Sequence, residues 1–184
     1  MLHQQVTATN RATVVRQRPH HLNGLLVSGA VVRPIEKHLQ SAGCNGREQA
    51  ALLCGYVVDG KVGIVTTVLL PQTQNHLAGC HVSLETMVRC FEATKRLRQF
   101  FLAQIHTHPG RHCGHSATDD DWAICDAPGF FSIVVPCFAR QGLGKLFDGG
   151  AAIHERMATG RWRLLPVEEV RRRFIVIPAR HHVA

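Results

Sequence analysis

His106, His108, Ser116 and Asp119 fall within fourteen residues, in the run His-Thr-His-Pro-x6-Ser-x-x-Asp. The apolar stretch 100–105 precedes them and reads as a strand. On a strand, residues i and i+2 share a face, so both imidazoles can aim at one point. Imidazole suits borderline metals such as zinc, and three protein ligands with an open water position describe a catalytic rather than a structural site. The neighbours leave the ligand set open. Asp120 and Asp121 are alternatives to Asp119, although acids there also complement a helix N-terminus. His112 and His115 lie in the same loop, where spacing imposes no common facing. Ser116-x-x-Asp119 is equally a helix capping box, which has no catalytic content of its own. The two readings are compatible, because a helix start can present Asp119 to a metal and Ser116 to a bound substrate. Thr107 points to the opposite strand face and is read as packing. Pro109 ends the strand, and Cys113 shapes the loop.

These residues need a sheet to hold them. Residues 25–32 read as a strand, and Pro34 opens a helix reaching about residue 42. Two β-rich runs, 50–58 and 62–70, flank Asp59-Gly60-Lys61 as a hairpin. Residues 71–81 read as a polar connection. Ser83 caps a helix over 84–98 whose stripe of Leu84, Met87, Val88, Phe91 and Leu97 is expected to face the core. After the histidine loop come a helix over 117–125, a buried strand over 130–138 and a second hairpin, 145–156 with 161–165. A short helix from Pro166 and a strand over 174–177 close the chain. The expected fold is α/β: one domain over 24–178, a mixed β-sheet flanked by helices, with an arm at 1–23 and a tail at 179–184.

Composition agrees with a single globular domain: 184 residues, 45% of them apolar and 18% charged. No apolar run approaches the roughly 20 residues of a membrane helix, and the N-terminal segment lacks the apolar centre of a secretory signal. A cytoplasmic location follows by default. The seven cysteines are scattered without a Cys-x-x-Cys pair, which argues against a disulfide framework or zinc knuckle. The net charge of +8, concentrated toward the C-terminal arginines, reads as a solvated basic surface. With one Tyr and two Trp, no aromatic-interleaved stripe supports nucleic-acid binding.

The run from His106-Thr107-His108-Pro109 through Ser116-Ala117-Thr118-Asp119 resembles the signature of the JAB/MPN (JAMM) metalloprotease family. Glu48-Gln49-Ala50-Ala51-Leu52-Leu53-Cys54-Gly55 is similar to that family's upstream glutamate element, and Glu36 and Glu85 are the fallback bases. The resemblance covers roughly residues 25–140. It implies a JAB/MPN-like, cytidine-deaminase-like domain in which His106, His108 and Asp119 hold Zn2+. Glu48 would then be the general base acting on the metal's water, and Ser116 the donor to the oxyanion. It also implies cleavage after the C-terminal glycine of a ubiquitin-like modifier, by deconjugation or precursor processing, alongside E1-like and E2-like enzymes and in some cases within antiphage defence. The alternatives are processing of a ubiquitin-fold sulfur carrier, or a non-catalytic MPN interaction scaffold.

Overall fold

The computed structural model describes residues 22–178 apart from 77, 78 and 122. The expected tail 179–184, and the arm except for Leu22 and Asn23, lie outside the described residues. An eight-stranded mixed sheet organises the rest. Its strands are β1 (Gly24–Ser28), β2 (Ala50–Val58), β3 (Val62–Leu69), β6 (Phe100–Thr107), β7 (Phe131–Val135), β8 (Ala152–Arg156), β9 (Trp162–Leu164) and β10 (Phe174–Ile177), in the order β10-β1-β3-β2-β6-β7-β8-β9. The Asp59-Gly60 hairpin forms as expected: β2 and β3 are antiparallel, and Asp59 and Gly60 both take positive φ.

Each face of the sheet buries its own cluster. One gathers Leu25, Val27, Leu53, Val65, Ile105, Phe131 and Ile153 under α1 (Gly29–Gly43), which inserts Ile35 and Leu39. The other holds Leu52, Cys54, Phe101 and Phe130, with Cys90 from α2 (Leu84–Leu97). β6 runs down the middle, antiparallel to β2 and parallel to β7. Its C-terminal end therefore lies beside that of β7 and beside the start of β2.

Several elements depart from expectation for local reasons. β1 stops at Ser28, whose hydroxyl accepts from the Ala30 N–H at 3.3 Å, so the helix begins at Gly29 with Pro34 inside it. The β-branched pair Val31-Val32 had suggested continued strand. The 71–81 connection is a small hairpin, β4 (Thr73–His76) with β5 (Gly79–Val82). The α2 stripe is core only in part: Leu84, Val88 and Leu97 are exposed, Phe91 packs edge-on against Phe101 with ring centres 5.0 Å apart, and Cys90 and Thr94 are the buried positions. Small side chains let this helix lie close to the sheet, which periodicity of large residues does not register. The helix after the histidine loop, α3, spans only Ala117–Asp121. Residues 145–150 form a wide turn rather than a strand, so the second hairpin is β8 with β9. α4 (Val167–Arg173) leads directly into β10.

β7 also ends early. Beyond Pro136, Cys137, Phe138 and Ala139 take φ of 52°, 54° and 57° in succession. Left-handed backbone costs a non-glycine residue roughly 1–2 kcal/mol, and here it is held by contacts. The Cys137 N–H donates to Gly110 O and the Phe138 N–H to His108 O, both at 2.9 Å. This turn thereby grips the loop that follows the two histidines.

Candidate metal centre

β6 and its continuation present both histidines to the α3 side of the sheet. His106, 6% exposed, sits between Ala50 of β2 and Val134 of β7. His108 lies just past the strand, where its N–H still donates to Val135 O at 2.9 Å. At the start of α3 the capping box closes. The Asp119 N–H donates to Ser116 Oγ (3.1 Å), and the Ser116 N–H (2.7 Å) and hydroxyl (2.8 Å) both donate to Asp119 Oδ2. That grip turns the carboxylate toward β6, with Oδ1 3.2 Å from His106 Nε2 and Oδ2 3.5 Å from His108 Nε2. Among the described residues, His106, His108 and Asp119 are the one trio of such side chains offering ligand atoms within 4.8 Å of each other.

Proton placement shows what the trio suits. His108 Nδ1 lies 3.0 Å from the His112 carbonyl, and a carbonyl only accepts, so Nδ1 carries the hydrogen. Nε2 of the neutral ring is then a bare lone pair facing a carboxylate oxygen. Two acceptors face to face require a proton or a cation between them. His106 Nε2 is buried and has no hydrogen-bond partner of adequate geometry, despite the nearby Oδ1. Leaving such a group unsatisfied costs about 1–3 kcal/mol. Two imidazole nitrogens, one carboxylate oxygen and a carbonyl fixing the tautomer of one ring are the donor set of a borderline divalent metal. Burial opposes ionisation of Asp119, yet the His106 and His108 rings and the Ser116 N–H hold it well below the usual carboxylate range. Contact with Asp119 raises His108 against the opposing effect of burial.

The glutamate's segment is tied to this centre by two hydrogen bonds, one to a side chain and one between backbones. Gln49 N–H donates to Thr107 Oγ1 at 3.0 Å, and Thr107 N–H donates to Gln49 O at 3.0 Å. Thr107, fully buried, therefore does more than pack: it docks the segment carrying Glu48 onto the histidine strand. Glu48 is half-buried there. Burial pushes its carboxyl up, His108 and His106 pull it back, and Asp119 pushes it up again, so it lies within electrostatic reach of all three. The fallback acids are occupied elsewhere. Glu36 accepts from the Leu143 N–H, and Glu85 pairs with Arg89.

Asp120, an alternative ligand by sequence, instead accepts from His115 Nδ1 at 2.8 Å. His115 stacks on Trp162, ring centres 4.5 Å apart, and lies beside His154 of β8. Burial and the neighbouring His115 ring lower His154 to about 4. Trp162 and His154 were not singled out in the sequence; the period-two pattern of β8 was the available signal, since it places His154 opposite Ser132. The Cys113 thiol donates to Arg111 O, its Sγ 3.5 Å away.

No protein-family model matches the chain. Over 141 residues it is 34% identical to the probable metalloprotease y4jG of Sinorhizobium fredii, covering 73% of this chain and 83% of that protein. The chain belongs to the family of that metalloprotease. The solution structure of a Desulfitobacterium hafniense protein superposes with a TM-score of 0.61 at 14% identity, over 86% of this chain and 97% of that chain, a likeness of fold. A JAB1/MPN domain protein from Archaeoglobus fulgidus aligns over 76% of this chain and 92% of its own, at 14% identity and a TM-score of 0.41. Among the described residues, no helix is long and apolar enough to cross a membrane.

Proposed function

We propose that this protein is a JAMM-type zinc metallopeptidase that cleaves after the C-terminal glycine of a ubiquitin-like modifier, as a deconjugating isopeptidase or a precursor-processing enzyme. The observation that carries the reading is the bare Nε2 of His108 opposite Asp119, beside the unpartnered Nε2 of His106. In this reading His106, His108 and Asp119 hold the ion. A bound zinc supplies a water of lowered pKa, from about 15.7 toward about 7, and polarises a carbonyl.

The chain's own groups supply the rest. Glu48, docked by Thr107 and Gln49, takes the proton of the attacking water and delivers it to the leaving amine. Its raised carboxyl pKa suits an acid–base group working near neutrality. Ser116 orients Asp119 with two hydrogen bonds. Its hydroxyl serves as oxyanion donor once substrate draws that proton off Asp119. The β4–β5 hairpin is tied to the Glu48 segment by the Thr73 hydroxyl, which donates to Gln49 Oε1 at 2.6 Å. Four-residue strands offer a short edge for an extended substrate tail, which suits a modifier's terminus more than discrimination between chain types. The modifier and its conjugates, with E1-like and E2-like enzymes in the cytoplasm, are the proposed partners.

Zinc-loaded protein incubated with a C-terminally extended ubiquitin-like protein and, separately, with a modifier–lysine conjugate tests this by mass spectrometry. A product ending in Gly-Gly from either substrate is expected, and the preferred substrate separates processing from deconjugation. Failure to cut both, by protein carrying one metal per chain, would favour the scaffold reading.

A further inference from the structure

His115 repeats the arrangement that prepares His108 to bind a metal. Its Nδ1 is held by an oxygen that can only accept, a carboxylate of Asp120 at 2.8 Å, so Nδ1 carries the hydrogen and Nε2 is a lone pair. A metal-binding imidazole usually has its other nitrogen anchored to a carboxylate or carbonyl in this way. Asp120 is at the surface, its side chain 54% exposed, whereas that of His115 is 6% exposed. Nε2, on the far side of the ring from Asp120, is buried and has no partner.

A second imidazole waits in the same state. His154 projects from β8, 4% exposed, and its Nδ1 is also buried without a partner. The His115 and His154 ring centres are 5.2 Å apart, inclined at 61°. The His106 and His108 rings, which belong to the trio described above, are likewise 5.2 Å apart, inclined at 52°. Two imidazoles sharing one tetrahedral ion at Zn–N distances of about 2.0–2.1 Å would hold their ring centres about 5 Å apart. The second pair therefore has a ring-centre spacing that one shared ion allows.

We propose that His115 Nε2 and His154 Nδ1 form a second cation site, completed by water, for a borderline divalent ion such as zinc or copper. It rests on these two side chains and not on the peptidase reading. With two protein ligands against three, it binds more weakly than the His106–His108–Asp119 centre. Asp120 supplies the compensating negative charge, and Trp162, stacked on His115, excludes solvent from one side of that ring.

Titrating metal-free protein with zinc by calorimetry, with His154→Gln as the comparison, tests the site. Two events are expected: a tight one-to-one step present in both proteins, and a weaker step reduced at least tenfold in affinity by the substitution. A single one-to-one step in the parent would show that the pair holds no ion and shares a buried water instead. A second step unchanged in His154→Gln would assign it to surface histidines. Either result overturns the proposal. Fluorescence provides a second reading independent of how well that variant folds. In a Trp122→Phe background, copper added to zinc-loaded protein should quench Trp162 at one further equivalent, because the tryptophan lies against His115. Unchanged emission at that equivalent also overturns the site.

Discussion

Thr107 and Gln49 exchange two hydrogen bonds, each 3.0 Å long, one through the threonine side chain and one through its backbone. This contact places Glu48 beside a strand whose alternate residues are His106 and His108. Thr107→Val keeps the shape and removes the acceptor, leaving the part-buried Gln49 N–H unsatisfied at a cost of about 1 kcal/mol. Turnover should fall with metal stoichiometry unchanged, and Thr107→Ser should restore both stability and turnover. Urea unfolding, metal analysis and kinetics on the same three proteins check this.

Ser116 both caps α3 and orients Asp119. Ser116→Ala should cost about 0.5–2 kcal/mol as a lost N-cap. It should also weaken zinc binding by about 10–100-fold, as loss of a group supporting a metal ligand does. Competition against a chelator of known affinity measures the second effect. Undiminished zinc affinity would mean that Asp119 does not depend on the box for its orientation.

The far edge of the sheet is fastened by a charge network. Glu155, buried on β8, pairs with Arg163 and Arg173, and both arginines also pair with Glu169. Burial opposes ionisation of Glu155, but Arg173 and Arg163 hold it below its usual range; Arg163 and Arg173 lower Glu169 to about 2. Carboxyls lowered on folding stabilise the protein above their unfolded pKa of about 4.3, and that stability is lost as pH falls through the folded values. Unfolding free energy should therefore drop steadily between about pH 4.3 and about pH 2. Glu155→Gln should flatten that slope and cost about 1–3 kcal/mol near neutrality, because Arg173 and Arg163 each lose one carboxylate partner and keep Glu169.

Gly43 ends α1 against the left-handed turn, where a Cβ would come within 2.4 Å of Phe138 Cβ. Gly43→Ala should cost about 1–3 kcal/mol by overpacking. Since the Phe138 N–H holds His108 O, zinc affinity should fall as well. Denaturation and zinc competition together distinguish a local clash from one transmitted to the histidine loop.

That His106, His108 and Asp119 come together was legible because their placement rests on local periodicity, i, i+2 on a strand and Ser-x-x-Asp at a helix start. The central strands and the Asp59-Gly60 hairpin were legible for the same reason. Glu48 entered only through the family resemblance. What escaped depends on tertiary contact. Thr107 reads as packing in the sequence because its partner, Gln49, lies 58 residues earlier in the chain. The apolar stripe of α2 reads as core, yet Leu84, Val88 and Leu97 are exposed and the helix seats itself through Phe91, Cys90 and Thr94. Val31 and Val32 favoured strand by propensity, and the Ser28 cap decided for helix. His154 and Trp162 carry no motif, and only the folded sheet brings them to His115.

The central claim is that His106, His108 and Asp119 hold the metal while Glu48 performs the proton transfer. Glu48→Gln, measured for metal content and for cleavage of a C-terminally extended ubiquitin-like protein, tests it most directly. The variant should retain one zinc per chain and lose about 10²–10⁴-fold in turnover. Cleavage at the parental rate would contradict the account.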